Sequence, residues 1–381
     1  MITNTRPDAP LYTSRLSIDL DAICKNWRYL DAMTDDDCHT GAVIKADCYG
    51  MGMTAIAPAL WQAGCRYFFT ARLSEAIMAR TLLPDAHIIV FDGLRDGEED
   101  SFYRHNLIAC LNDLEQIARA KAFTAKHNSS LPICLALDTG MSRLGLSEAD
   151  WQELIAQQDW RDDLDIRLLL SHLSSSDDSQ SPHNARQNNQ LANAVTDLDI
   201  PISLANSGGI LLGKQFHHTL TRPGIALYGI APDKAEQGLS PVMSLTADIL
   251  QIREIETGTS VGYGADFVAE RPMRLATLGI GYADGMQRHY KDYLRPKIGE
   301  YECDIIGRIS MDSLVIDITE VPGDVIANHS CAILLDDSYN ADDLANDTGT
   351  INYEILTLLG ERVQRHYHGE MFVSGKNEDK A

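Results

Sequence analysis

No apolar run in this 381-residue sequence approaches the roughly 18 residues that a membrane span needs. The longest candidate, residues 88–91, has the length of a buried strand. The start, Met1-Ile2-Thr3-Asn4-Thr5-Arg6-Pro7, lacks the apolar core and small-residue cleavage site of a secretory signal. CxxC pairs are missing as well. The 8 cysteines are scattered without regular spacing, and several (Cys110, Cys134, Cys331) sit inside apolar runs, where a free thiol acts as a small hydrophobe. This excludes a disulfide framework and leads us to expect reduced thiols in a cytoplasmic protein. Positive charge is scarce: 32 Lys and Arg stand against 55 Asp and Glu, for a net charge of -23. Nucleic acid and anionic membrane are therefore poor partners, because phosphate contacts require clustered Lys and Arg. The acid excess reads as a repelling, solubilising surface and does not identify a substrate. Internal repeats, low-complexity tracts and an expected metal site are absent too.

What is there is an ordinary globular composition, 44% hydrophobic and 23% charged, on a chain long enough for two cored domains or a large barrel with an appendage. Apolar, β-branched-rich runs occur at residues 41–45, 66–71, 87–91, 107–111, 131–137, 166–173, 200–205 and 221–228. Segments with helical periodicity separate them, such as 113–126, 147–157 and 184–198. Such an eightfold β-α alternation is the signature of a (β/α)8, TIM-like barrel within the α/β class. After Gly238 the pattern changes. Strand signals at 244–255, 273–280, 303–306, 313–318 and 331–335 follow one another without helices, with turns such as Thr257-Gly258-Thr259 between some of them. A short helix at 353–359 closes this mostly β C-terminal domain. The expected division is a barrel at 12–238 and a β domain at 239–372, with a polar linker around 231–240 and flexible tails at 1–11 and 373–381.

Polar residues gather where a barrel of this kind places its active site, at the C-terminal ends of the strands. Lys45 ends the first run and Arg143 follows the fifth. His172 lies near the end of the sixth, Asn206-Ser207-Gly208-Gly209 follow the seventh, and Arg222 opens the eighth. A strand-terminal lysine by itself ordinarily snorkels to solvent. In an apolar setting its amine can instead lose pKa and react with a carbonyl.

The segment Ala42-Val43-Ile44-Lys45-Ala46-Asp47-Cys48-Tyr49-Gly50 resembles the lysine motif of the pyridoxal 5'-phosphate (PLP)-dependent, fold-type III alanine racemases. Further similar blocks follow in order, beginning with Asp138-Thr139-Gly140-Met141-Ser142-Arg143, Ser171-His172-Leu173 and Asn206-Ser207-Gly208. They continue with Arg222-Pro223-Gly224-Ile225, Val261-Gly262-Tyr263-Gly264 and Gly281-Tyr282-Ala283-Asp284, and end with Ser310-Met311-Asp312 and Ile351-Asn352-Tyr353-Glu354. The blocks span both expected domains. The resemblance implies a homodimer with shared active sites that racemises a small amino acid, alanine first. Lys45 would hold PLP covalently and serve as one base, and Tyr263, supplied by the partner subunit, would be the second. His172 and Arg143 would help as cations that favour a phenolate. Tyr49, Ser207 and the amides of Gly224 and Ile225 would hold the phosphate, and Asn206 and His172 would also belong to the cofactor site. Arg222 would meet the pyridine nitrogen. Arg143 and the amide of Met311 would take the substrate carboxylate, with Tyr282 narrowing the entrance and Asp312 fixing its loop.

Two positions depart from the family pattern. Where many relatives carry a lysine that positions the arginine of the fifth loop, this chain has Ala136; a bound anion such as chloride, or a carboxylate from elsewhere, would have to replace it. Where some relatives place a phosphate-contacting tyrosine, this chain has Glu361. The alternatives are the same chemistry on serine or a broader set of small amino acids, a PLP-dependent amino-acid decarboxylase of the same architecture, and a PLP-carrying barrel without catalysis. Tyr263 and the β domain argue against the last two.

Overall fold

The computed structural model describes residues 12–196, 198–232 and 238–370. The expected tails at 1–11 and 373–381 and the centre of the expected linker, 233–237, lie outside the described residues. The chain divides into two compact units, one of Leu20–Pro241 and one of Val242–Gly369 joined by the strand Ser14–Asp19.

In the first unit, Ala42–Val43, Tyr67–Thr70, His87–Val90, Ile108–Leu111, Pro132–Ala136, Asp165–Leu170 and Ile202–Ser203 form a 7-stranded parallel sheet in chain order. The eighth segment, Leu220–Thr221, pairs in parallel with His39–Thr40, just ahead of the first strand. On its other side the amides of Thr219 and Arg222 donate to the carbonyls of Ile202 and Ala205. The sheet therefore curls closed as a TIM-like barrel. Strands covered on both faces read as unbroken apolar runs, and Ile108–Leu111 is buried throughout.

Local signals set the helices. Asp113 accepts from the Gln116 amide to start Leu114–His127, and Asn128 ends it in the left-handed region at φ 51. Ser147 and Asp150 form a capping box at the head of Glu148–Ile155, and Pro182 opens Pro182–Ala194. The eighth run differs from expectation. Only Leu220–Thr221 is strand; Pro223 has no amide to donate to a ladder, and the chain turns into a single helical turn at Ile225–Tyr228. Arg222 thus follows its strand instead of opening it, which still sets it on the C-terminal rim.

The second unit is built on the 13-residue strand Met243–Ile255, which pairs antiparallel with Cys331–Leu335, with Met273–Leu278 and with Ser14–Asp19. Residues 12–19, grouped with the barrel by position in sequence, therefore lie in the β sheet. The reason is visible in Ser14-Arg15-Leu16-Ser17-Ile18-Asp19, where strict alternation buries one face only, unlike a barrel strand. Its other edge carries Gln364–His368, a parallel strand whose polar composition hid it. The expected strand at 303–306 reduces to one bridge, Ile305 with Ile316. The hairpin Lys297–Ile298 and Tyr301–Glu302 stands just before it, turning at Gly299 with φ 62. Asn352–Thr357 is the closing helix. All 8 cysteines are free and all but Cys331 are buried. Among the described residues no helix is long and apolar enough to cross a membrane, and no group of His, Cys, Asp and Glu is arranged to hold a metal ion.

Leu16 is fully buried in the second unit. Leu16→Ala should cost about 2–5 kcal/mol by loss of burial and creation of a cavity. Urea unfolding followed by circular dichroism measures it, and an unchanged midpoint would contradict the placement of this strand in the sheet.

Candidate active site

The first barrel strand ends at Val43, and Lys45 opens a turn instead of closing the strand. Ala46, Asp47, Cys48 and Tyr49 all lie in the left-handed region, with φ of 51, 52, 55 and 58. Such a conformation costs a non-glycine residue about 1–2 kcal/mol, so the turn needs outside support. The Asp47 carboxylate accepts from the Met53 amide at 2.6 Å. Glu75 accepts from the Ala46 amide at 2.7 Å through one oxygen, and from Ala71 and Arg72 at 2.9 and 3.1 Å through the other. Tyr228 donates its hydroxyl to the Val43 carbonyl at 3.0 Å and packs its ring on Tyr49 at 4.8 Å.

Lys45 faces a cavity of about 250 Å³ at the C-terminal ends of the strands, shared with Arg143, His172 and Arg222. Burial pulls its ammonium below the usual lysine range and Arg143 adds to this, while Glu75 and Asp92 oppose it. Arg222 is 1% exposed. Its Nη1 donates to the Ser203 hydroxyl; its Nη2 donates to the Ser171 carbonyl at 2.6 Å and approaches His172 Nδ1 at 3.3 Å. Burial lowers the guanidinium pKa to about 10, leaving it charged at neutral pH. Its Nε is buried without a partner among the described residues. His172 departs from the expectation that it is a cation. Burial, then Arg222, Arg143 and Lys45, push it down to about 3, so it is neutral at physiological pH.

Beside this cavity, the Ser207 hydroxyl accepts from the amides of Gly224 at 2.9 Å and Ala226 at 3.2 Å. With both lone pairs engaged, its own O–H is left to donate. A Cβ at Gly224 would come within 2.3 Å of the Tyr49 hydroxyl, so only glycine lets these groups meet. Ile225 is buried next to them. The Asn206 side chain caps the Ser207–Leu211 turn by accepting from Gly209 at 2.9 Å. In the loop after the fifth strand, Asp138 Oδ1 accepts from the amides of Gly140, Met141 and Ser142 at 2.9, 3.0 and 3.0 Å, shaping the segment that carries Arg143. Ala136 lines the same cavity. Among the described residues no carboxylate is ion-paired with Arg143, so the carboxylate substitute for the family lysine is not found.

The remaining candidates belong to the other unit. Tyr263 is 70% exposed on a tight turn flanked by Gly262 and Gly264, beside the ion pair of Arg308 with Asp266. Tyr282 and Met311 are drawn together where the amides of Tyr282 and Ala283 donate to the carbonyls of Ser310 and Met311. Arg362 clamps this pair of loops, with Nε 2.9 Å from Asp284 and Nη1 2.7 Å from Asp312. Sequence reading stopped one residue short, at the exposed Glu361. It also missed Asp92 and Asn112, which line the Lys45 cavity; both directly follow barrel strands or their extensions, which is the signal that would have found them.

Residues 18–232 match the family description "Alanine racemase, N-terminal domain" and residues 242–367 match "Alanine racemase, C-terminal domain". The alanine racemase of Brucella canis is 39% identical over 376 residues, covering 94% of both chains. That of Cereibacter sphaeroides is 40% identical over 364 residues, covering 93% of this chain and 98% of the relative. Among solved structures, alanine racemase from Bartonella henselae with covalently bound pyridoxal phosphate aligns with a TM-score of 0.88 at 35% identity, over 94% of this chain and all of that one. Two consecutive domain matches and 39% identity over nearly the whole length agree with the barrel, the β unit and the lysine-lined cavity: the chain belongs to the alanine racemase family.

Proposed function

We propose that this protein interconverts L-alanine and D-alanine with PLP bound at Lys45, by proton transfer between two bases, Lys45 and Tyr263. The observation that carries the cofactor assignment is the unpartnered, buried Nε of Arg222 beside Lys45. It is a donor that cannot give up its proton, and a neutral pyridine nitrogen is its natural acceptor. Ser207, Tyr49 and the tight approach at Gly224 suit the phosphate group. When bound, PLP supplies the electron sink that acidifies the substrate's α-C–H, and an arginine at the ring nitrogen keeps that sink weak.

The protein's own groups do the rest. Burial and Arg143 shift Lys45 toward the free amine, the form that can accept a proton. Arg143 offers a planar fork to the substrate carboxylate, with the Met311 amide as a second donor and Tyr282 at the entrance. Tyr263 stands on a turn that leaves the residue 70% exposed in the single chain. We assign it to the opposite face of a neighbouring subunit's site, which makes the enzyme a homodimer with shared sites. Exposure of Tyr263, Tyr282 and Met311 together in one unit supports that reading. The free, buried thiols support a reducing, cytoplasmic setting. His172, neutral, contributes an acceptor to Arg222 through Nδ1 in place of a charge toward Tyr263.

Optical rotation of L-alanine solutions tests the reaction. Wild type should drive the rotation to zero and do so faster with alanine than with serine. Lys45→Ala and Tyr263→Phe should each lose about 10²–10⁴-fold in kcat, the range for removing an acid-base group. A yellow protein that leaves alanine's rotation unchanged sinks the proposal. Co-refolding the two inactive variants in equal amounts should restore about a quarter of the wild-type sites, because each mixed C2 dimer keeps one site free of both lesions. No recovery would refute shared sites.

His172 also sets a pH dependence. Its folded pKa lies below the unfolded value of 6.5, so the unfolded chain binds the extra proton between about 3 and 6.5. Stability of the apo protein should therefore fall as pH drops through that window. His172→Asn should flatten part of the fall in denaturant midpoint; parallel profiles would contradict a neutral His172.

A further inference from the structure

Lys45 acts from a turn that L-residues disfavour, and no catalytic role accounts for what holds it there. Four successive non-glycine residues, Ala46 to Tyr49, are left-handed. The bonds within the turn, from Cys48 to Ile44 and from Gly50 to Ala46, close it on itself but do not tie it to the barrel. The outside tie on the first left-handed residue is Glu75, near the start of the helix Leu73–Leu82 that follows the second strand. One carboxylate oxygen takes the Ala46 amide and the other takes those of Ala71 and Arg72. A single side chain thus spans the rims of two adjacent strands.

We propose that Glu75 is a positioning residue for Lys45: by bridging the Ala46 amide to the second strand's rim, its carboxylate holds the left-handed turn that presents Lys45 to the cavity. The inference rests on the assignment of Lys45 as the PLP lysine. Both oxygens are needed. In glutamine one of them becomes an NH2 group, which cannot accept from an amide, so Glu75→Gln keeps only one side of the bridge. The competing explanation is that Glu75 serves only its own helix, through the amides of Ala71 and Arg72. In that case the Ala46 bond is incidental.

A double-mutant cycle separates the two. Glu75→Ala, Ala46→Gly and the double variant are compared with wild type, because glycine adopts the left-handed conformation without strain. Amide hydrogen exchange of the apo proteins reads the turn itself over residues 44–52 and the helix start at residues 71 and 72. Alanine kcat and KM of the PLP-loaded enzymes read its effect on Lys45. Glu75→Ala should speed exchange at the Ala46 amide and lower kcat roughly tenfold or more, as a displaced catalytic group does, with KM changed far less. Ala46→Gly introduced into Glu75→Ala should recover about fivefold of that loss, a non-additive result. Glu75→Gln should fall between wild type and Glu75→Ala.

An additive cycle, or Ala46 exchange that Glu75→Ala leaves unchanged, overturns the proposal even if wild type racemises alanine. Faster exchange confined to residues 71 and 72 assigns Glu75 to its helix alone and also overturns it. Should wild type fail to racemise alanine, the catalytic reading falls on its own, and the exchange cycle still decides whether Glu75 holds the turn.

Discussion

A fully buried guanidinium is the constraint around which the barrel rim is organised. Arg222 carries its charge where water does not reach, and an unpaired charge in such a place is prohibitive. The fold meets this cost with a hydroxyl from the seventh strand, Ser203, and a carbonyl from the end of the sixth, Ser171. Those two partners require three neighbouring strands to end at matched heights. Its Nε is buried without a partner among the described residues, and Arg222 lines the Lys45 cavity.

Burial weakens the charged forms of His172 and Lys45; Arg222, Arg143 and Lys45 add to it at His172, and Arg143 adds to it at Lys45. His172 accordingly becomes an acceptor for Arg222, and Lys45 is moved toward the free amine. Glu75 and Asp92 oppose the shift at Lys45. The same Glu75 that tempers the amine also binds the backbone turn carrying it, so position and basicity share one side chain.

The second unit presents its chemistry differently. Its candidate side chains stand exposed on tight loops: Tyr282 and Met311 on loops joined by mutual backbone bonds and by Arg362 on Asp284 and Asp312, and Tyr263 between two glycines beside the Arg308–Asp266 pair. Exposed aromatic and apolar side chains held in this way suit the proposed role in completing a site on another subunit, because loops ordered beforehand lose less entropy on docking.

By itself the sequence determined the class of fold, because doubly covered strands must be continuous apolar runs and the eight-run rhythm admits few other closures. It also singled out Lys45, Arg143, His172 and Arg222, each of which follows or ends such a run, and the structure brings these four to one cavity. Tertiary structure alone decided three things. The N-terminal strand joined the β sheet, because its pairing with Met243–Ile255 spans more than two hundred residues and leaves no local trace beyond an alternating pattern. Gln364–His368 became a strand by pairing in parallel with that N-terminal strand, despite its polar composition. The charge of His172 and the supporting roles of Glu75, Ser203 and Arg362 depend on burial and on partners distant in sequence. Periodicity records which face of an element is apolar, but not which charged group lies opposite it.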